Sequence, residues 1–326
     1  MVPKKINCGG TFGLMSLKPK VNILLSTYNG EKYLALQLES LFNQTYPNIT
    51  IYVRDDGSED NTMTILDSYC QRESKGSSPR LILLGDRRNP NIGYMESFWT
   101  LLREAEPADY YAFCDQDDFW FPQKVELGVR ALEEQSSRLP LLYFSSFIYC
   151  DENMNTNGNS DILNRQVLFR DVMFYTPAFG FTILVNNTLR DIALSASSLR
   201  GIPHDGWCQK IAAALGKVIY DPTQTAKYRR HSFAVTYANT NTIRLLVRWL
   251  KNDIFGEGMS EYYFVLRKFW EEYSDKLSHS ELEFLEIFME QPVTFQIYLK
   301  RLFFHERLRP SWGGEFALRL CFLLNR

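Results

Sequence analysis

The apolar run Val21-Asn22-Ile23-Leu24-Leu25-Ser26-Thr27-Tyr28 ends in the turn pair Asn29-Gly30. A short run bounded in this way predicts a buried strand. Leu34, Leu38, Leu41 and Phe42 then recur at i, i+4, i+7 and i+8, an amphipathic helix that Pro47-Asn48 breaks. Ile49-Thr50-Ile51-Tyr52-Val53 predicts a second strand, closing in Arg54-Asp55-Asp56-Gly57-Ser58, and a helix follows from Thr62 to Arg72. After the loop Lys75-Gly76-Ser77-Ser78-Pro79, Arg80–Leu84 predicts a third strand. Asn89-Pro90-Asn91-Ile92-Gly93 opens a helix through Phe98 and Leu102, and Tyr110–Cys114 is the next strand. Strands alternating with helices of these lengths imply βαβ units and an α/β domain with a mostly parallel sheet.

Further on, Pro122–Glu134 predicts a helix, Leu141–Cys150 a strand, and the polar stretch Asp151–Ser160 a turn or loop. Phe179–Val185 predicts a strand, Thr188–Leu199 a helix and Lys217–Tyr220 a short strand. His204-Asp205-Gly206-Trp207 precedes an Ala-rich helix, Cys208–Leu215. From Thr242 the pattern is helical, through Leu246, Trp249 and Leu250, then Tyr262–Tyr273. Ser278-x-x-Glu281 is a capping box that opens a helix stopping before Pro292. The expected layout is a loose extension over residues 1–19, an α/β domain over 20–238 and a helical region over 239–326.

Composition narrows this picture modestly. A hydrophobic fraction of 45% with 23% charged residues describes a soluble globular protein. A formal net charge of −2 argues against nucleic-acid binding, which needs a basic face. The 14% aromatic content suits a sugar-binding cleft and equally suits ordinary packing. The six cysteines form no Cys-x-x-Cys pair, so reduced thiols in a cytoplasmic protein are expected, not a disulfide frame or zinc site. No apolar run reaches the ~20 residues that span a bilayer. The first twenty residues show no signal-peptide core, and Met15 is an alternative start.

Candidate chemistry concentrates at Asp115-Gln116-Asp117-Asp118-Phe119-Trp120, where an apolar strand ends in three carboxylates within four residues. Two readings fit: a hard cation held for a diphosphate, or an Asp-rich helix start. Ser26 and Tyr28, Asp55 and Asp56, and Asn91 and Gly93 end other strands. In a parallel sheet these ends share one edge, and helix capping accounts poorly for all of them together.

Leu25-Ser26-Thr27-Tyr28-Asn29-Gly30, Gln44-Thr45-Tyr46, Asp55-Asp56-Gly57-Ser58-x-Asp60, Asn91-x-Gly93 and Asp115-Gln116-Asp117-Asp118-x-Trp120 resemble, in order and spacing, the family 2 glycosyltransferases of GT-A fold. The resemblance covers about residues 20–235. With His204-Asp205-Gly206-Trp207 and Tyr228-Arg229-Arg230-His231, it is most similar to the bacterial rhamnosyltransferase branch, which uses dTDP-L-rhamnose to build cell-surface polysaccharide. The resemblance implies an inverting enzyme using Mg²⁺ or Mn²⁺. Asp56 would accept the pyrimidine N–H, with Ser26 and Tyr28 around base and ribose. Asp115 would hold the ribose or the metal, Asp117 the metal, and Asp205 would be the general base. Asn91, Asp118, Trp207 and Arg229 complete the implied nucleotide-sugar site.

Where many relatives carry a basic residue after Asn-x-Gly, this chain has Tyr94, Met95 and Glu96, so Arg87 or Arg88 is the substitute phosphate contact. His204 and His231 are each either hydrogen-bonded structural residues or functional ones, with His231 the better metal candidate. Trp120 and Trp207 either stack on a sugar or pack in the core. Residues 292–326 interleave Lys300, Arg301, Arg307, Arg309, Arg319 and Arg326 with aromatics, which fits either peripheral contact with the inner membrane face or a packed helix with a basic outer face. The expected partners are dTDP-L-rhamnose and a polysaccharide or lipid-linked saccharide acceptor. Rival readings are another donor (UDP-Glc, UDP-Gal or UDP-GlcNAc), a sugar-1-phosphate nucleotidyltransferase, whose Gly-rich first loop is missing here, and a non-catalytic scaffold subunit.

Overall fold

In the computed structural model, nine strands form one mixed sheet in the order β3-β2-β1-β4-β8-β6-β9-β5, with β7 paired to β6. The structure describes residues 18–73, 79–85, 89–160, 163, 165–231, 258–289 and 293–324. The strands are β1 (Val21–Thr27), β2 (Ile49–Asp55), β3 (Arg80–Leu83), β4 (Tyr110–Cys114), β5 (Phe119–Trp120), β6 (Leu141–Cys150), β7 (Thr156–Asn159), β8 (Ile183–Asn186) and β9 (Lys217–Arg229). Helices α1 (Leu34–Phe42), α2 (Thr62–Glu73), α3 (Tyr94–Glu104) and α4 (Lys124–Glu133) alternate with the early strands. Next come α5 (Asn187–Leu194), α6 (His204–Leu215), α7 (Gly258–Tyr273), α8 (His279–Met289), α9 (Phe295–Leu302) and α10 (Trp312–Leu323).

Strands β3, β2, β1 and β4 run parallel, so their C-terminal ends line one edge. Strand β8 is antiparallel to both β4 and β6, and β6 is parallel to β9. The pleat sends alternate residues to opposite faces. Ile23, Leu25, Ile51 and Val53 meet Leu34, Leu38 and Leu41 of α1 and Val125 and Val129 of α4 on one side. Leu24, Tyr52, Tyr111 and Phe113 meet Phe98 and Trp99 of α3 and Trp207 and Ile211 of α6 on the other. That second core continues into the C-terminal helices. Trp207 lies 5.6 Å from Phe269, and Phe174 lies 5.1 Å from Phe288 and 5.6 Å from Phe322, ring centre to ring centre.

Several elements differ from the sequence expectation, among them the short strand β5, which no pattern announced. Strand β9 runs through Asp221-Pro222, where a break was expected. Ser145 pairs with Asp221 and Ser146 with Gln224, so a bulge absorbs Pro222 and Thr223. Thr156–Asn159, expected as turn or loop, is an exposed strand against β6; backbone pairing alone holds it, so it carries no apolar alternation. Phe179–Val185 divides into a 3₁₀ turn, Gly180–Thr182, and β8. Helix α6 starts at His204, with Pro203 at its N-cap, four residues before the expected start. The predicted helix around Leu246, Trp249 and Leu250 lies outside the described residues.

Candidate active site

The parallel strand ends deliver polar groups to one edge, as the sequence pattern requires. The edge is built on local hydrogen bonds. Asp55, at the end of β2, accepts from Thr27 Oγ1 at 2.8 Å and from Ser58 N at 2.8 Å, joining the β1 and β2 loops. Gly57 has a φ of +83°, and a Cβ there would meet the Asn89 carbonyl at 2.9 Å, so only glycine lets the two loops approach. Gln116 donates to the Tyr28 carbonyl and accepts from the Tyr28 N–H, both at 2.9 Å, and so fixes the first loop to the acidic one. Gln116 stands inside the acidic motif, but its type announces no such role.

Asp56 is buried and its oxygens are engaged. It accepts from Arg54 Nη1, from Ile92 N and from Gly93 N, the latter two at 2.8 Å. It therefore anchors the Asn91-Ile92-Gly93 turn. Asn91 and Tyr28 are exposed and Ser26 is half-buried, all within reach of a ligand lying along the edge.

The acidic loop divides by burial. Asp115 and Asp117 are part-exposed, whereas Asp118 is fully enclosed. Burial pushes the Asp115 carboxyl up to about 7, with Asp117 and then Asp205 adding to the effect. Asp205 comes from the first turn of α6, yet its charge acts on Asp115 at the end of β4. The two carboxylates are thus near enough for one charge to act on the other. The Tyr94 hydroxyl, at the start of α3, is pushed up by desolvation and then by Asp205 and Asp115, so it borders the same space. The Asp205 Oδ1 accepts from the Gly206 N–H at 2.7 Å, which orients the carboxylate.

His231 Nε2 lies 2.7 Å from Asp117 Oδ2. Its ring packs 4.8 Å from that of Tyr33. Among the described residues no three His, Cys, Asp or Glu side chains converge into a ready-made metal cage. The donor set nevertheless fits a hard cation. Two part-exposed carboxylates with mutually unfavourable charges suit Mg²⁺ or Mn²⁺, which needs one or two protein carboxylates and takes the rest of its shell from water and phosphate oxygens.

Three expected site residues are corrected by their surroundings. Trp207 is 0% exposed, wedged against Phe269 and Tyr273, and is core packing, not a sugar platform. Asp118 is 0% exposed and its carboxyl is held well above the usual range by burial, then by Asp117 and Asp115. Its Oδ1 accepts from Arg229 N at 3.2 Å. Arg229 is buried too, donating to the Asp117 carbonyl at 2.7 Å and the Glu152 carbonyl at 2.6 Å, with its guanidinium 4.3 Å above the Tyr33 ring. It braces the acidic loop from behind. Trp120 is likewise fully buried. Arg87 and Arg88 lie outside the described residues.

The profile for "Glycosyl transferase family 2" matches residues 22–179, from β1 past the acidic loop. The chain carries a family 2 glycosyltransferase domain. Curated relatives of this domain include the dTDP-rhamnosyl transferase RfbG of Shigella flexneri, 33% identical over 33% of this chain and 36% of its own. An uncharacterized glycosyltransferase of Haemophilus influenzae is 25% identical over 65% of this chain and 66% of its own. The chain thus spans between about a third and two thirds of these relatives' lengths. Among solved structures, S. aureus TarS 1–349 in complex with UDP-GlcNAc superposes with a TM-score of 0.55 at 16% identity, covering 94% of this chain and 91% of that one. At that identity the likeness concerns the GT-A type of fold.

Proposed function

We propose that this glycosyltransferase domain moves a sugar from a nucleotide sugar to an acceptor hydroxyl in one inverting displacement. What supports the reading is that the charge of Asp205, in the first turn of α6, acts on Asp115 at the end of β4, two residues before Asp117. Asp205 takes the acceptor proton as the hydroxyl oxygen bonds to the anomeric carbon. The bond from that carbon to the diphosphate oxygen breaks, and its electron pair leaves with the nucleoside diphosphate. One base with no enzyme nucleophile gives inversion. Asp115 and Asp117, with His231 behind Asp117, are the residues for Mg²⁺ or Mn²⁺, which when bound offsets the charge gathering on the leaving diphosphate. Ser26, Tyr28 and Asn91 line the nucleotide side. Asp56 acts there by holding the Asn91 turn and by its proximity to the base.

Similarity to a dTDP-rhamnosyl transferase supports dTDP-L-rhamnose as donor and a surface polysaccharide or lipid-linked saccharide as acceptor. The outer face of the C-terminal helices supports work at the inner membrane surface. Phe295, Phe303, Trp312 and Phe316 are each more than 70% exposed. Glu315 is buried beneath Arg319, and Glu306 pairs with Arg170, which leaves Lys300 and Arg307 as the outward charges beside these rings. Among the described residues no helix is long and apolar enough to cross a membrane.

The test is a panel of dTDP-, UDP- and GDP-sugars with Mg²⁺ or Mn²⁺, scored for nucleoside diphosphate release. Turnover of dTDP-L-rhamnose that disappears in EDTA is expected. Full activity after exhaustive dialysis against EDTA would sink the metal assignment, and preference for a purine nucleotide would sink the donor.

A further inference from the structure

Lys210 is 4% exposed, yet it makes no hydrogen bond and no ion pair among the described residues. A buried ammonium without a partner is costly, and such groups are retained where a ligand completes them. Its position says where that ligand would lie. Helical side chains lean toward the N-terminus, so Lys210 reaches back one turn over Gly206. A Cβ on Gly206 would stand 3.9 Å from Lys210 Nζ and 3.6 Å from Thr176 Oγ1. The amine therefore sits at the first turn of α6, beside Asp205 and facing the segment that carries Thr176. Unlike the His204 ring nitrogens, it is not sealed from solvent.

We infer that Lys210, with Thr176 at the first turn of α6, binds an anionic substituent of the acceptor sugar, a phosphate or a carboxylate, next to the hydroxyl that Asp205 deprotonates. This rests on Asp205 being the base of the proposed transfer. The surrounding edge is acidic through Asp115, Asp117 and Asp205, so a negatively charged acceptor needs a positive group to enter. Lys210 supplies it, and no direct ion pair ties the amine to Asp205. Burial lowers the Lys210 amine to about 8, with Asp205 opposing the fall, so it is still charged near neutrality. The helix N-terminus favours the same sign of ligand.

The test is a calorimetric titration of the whole protein, with dTDP and Mg²⁺ present, using three probes: methyl glucoside, methyl glucoside 6-phosphate and methyl glucuronide. Wild type should bind one of the two charged probes about tenfold or more tighter than the neutral one, the worth of a charge-assisted hydrogen bond. Which charged probe wins separates a phosphorylated acceptor from a uronic acid. Lys210→Met should erase the preference while dTDP affinity stays put; should it fold poorly, Lys210→Gln takes its place, and Lys210→Arg should retain a charge preference. Equal binding of all three probes by wild type, or a preference that survives in Lys210→Met, overturns the inference. Failure of dTDP to bind wild type would count against the donor reading, and the comparison between probes would still be read.

Discussion

Asp56 and Arg54 illustrate how single residues hold this edge together. Their side chains are 4% and 6% exposed, and each is the other's counter-ion. Removing one member of a buried pair leaves an uncompensated charge, which costs about 3–5 kcal/mol. Asp56→Ala should therefore lose at least about 3 kcal/mol in urea unfolding; a loss under about 1 kcal/mol would mean that the Asn91 turn does not depend on this carboxylate. His204 offers a second test. Its ring is sandwiched between Phe98 and Phe113, at 4.1 and 4.5 Å, and burial lowers it to about 4. The folded state thus resists protonation that the unfolded chain accepts near 6.5. Its contribution is complete above about 6.5 and is lost as pH falls toward 4, about 3 kcal/mol in all. His204→Leu should flatten stability over that window, and an unchanged slope would contradict the buried, neutral ring. Strand-end spacing put Asp115 and Asp117 on the expected edge, whereas Asp205 entered only through the family resemblance. The resemblance also implied Asp118 and Arg229, which the structure buries, since neighbouring positions at a strand end point to opposite sides and residue type alone does not reveal which. Lys210, amid an Ala-rich helix, carried no signal until its burial was visible.

At the level of elements, periodicity served best where one face is buried. Helices α1 and α3 and strands β1, β2, β4 and β6 are close to their expected ranges for that reason. It failed where pairing is set by tertiary context, as in β7 and in β9 beyond Pro222. For the C-terminal helices both sequence readings have a physical counterpart. Leu318, Cys321 and Phe322 of α10 are buried in the second core, whereas Trp312, Phe316 and Leu323, at i, i+4 and i+11, share the exposed side. Deleting residues 292–326 would therefore disturb the core, and surface substitutions are the sharper probe. Trp312→Ala with Phe316→Ala should weaken co-sedimentation with vesicles containing anionic lipid by about tenfold and leave the melting temperature unchanged, the loss of two aromatic anchors exceeding about 1.4 kcal/mol. Undiminished binding, or no binding by wild type, would leave this face without a membrane role.

Across the whole molecule, the two cores fix opposite faces of one sheet, and the proposed site lies along the edge between them. In the proposed site the N-terminal half would supply Ser26, Tyr28, Asn91, Asp115 and Asp117, and the C-terminal half Asp205 from a helix seated on the second core. Asp205→Asn separates these contributions, since it is nearly isosteric and keeps the Oδ1 that accepts from Gly206 N. The decisive measurement is the sugar-transfer rate of this variant alongside its dTDP affinity, in the same preparation. Transfer should fall by about 10²-fold or more with dTDP affinity and melting temperature near wild type. A transfer rate near that of wild type would contradict the account, since proton removal would then lie with another group.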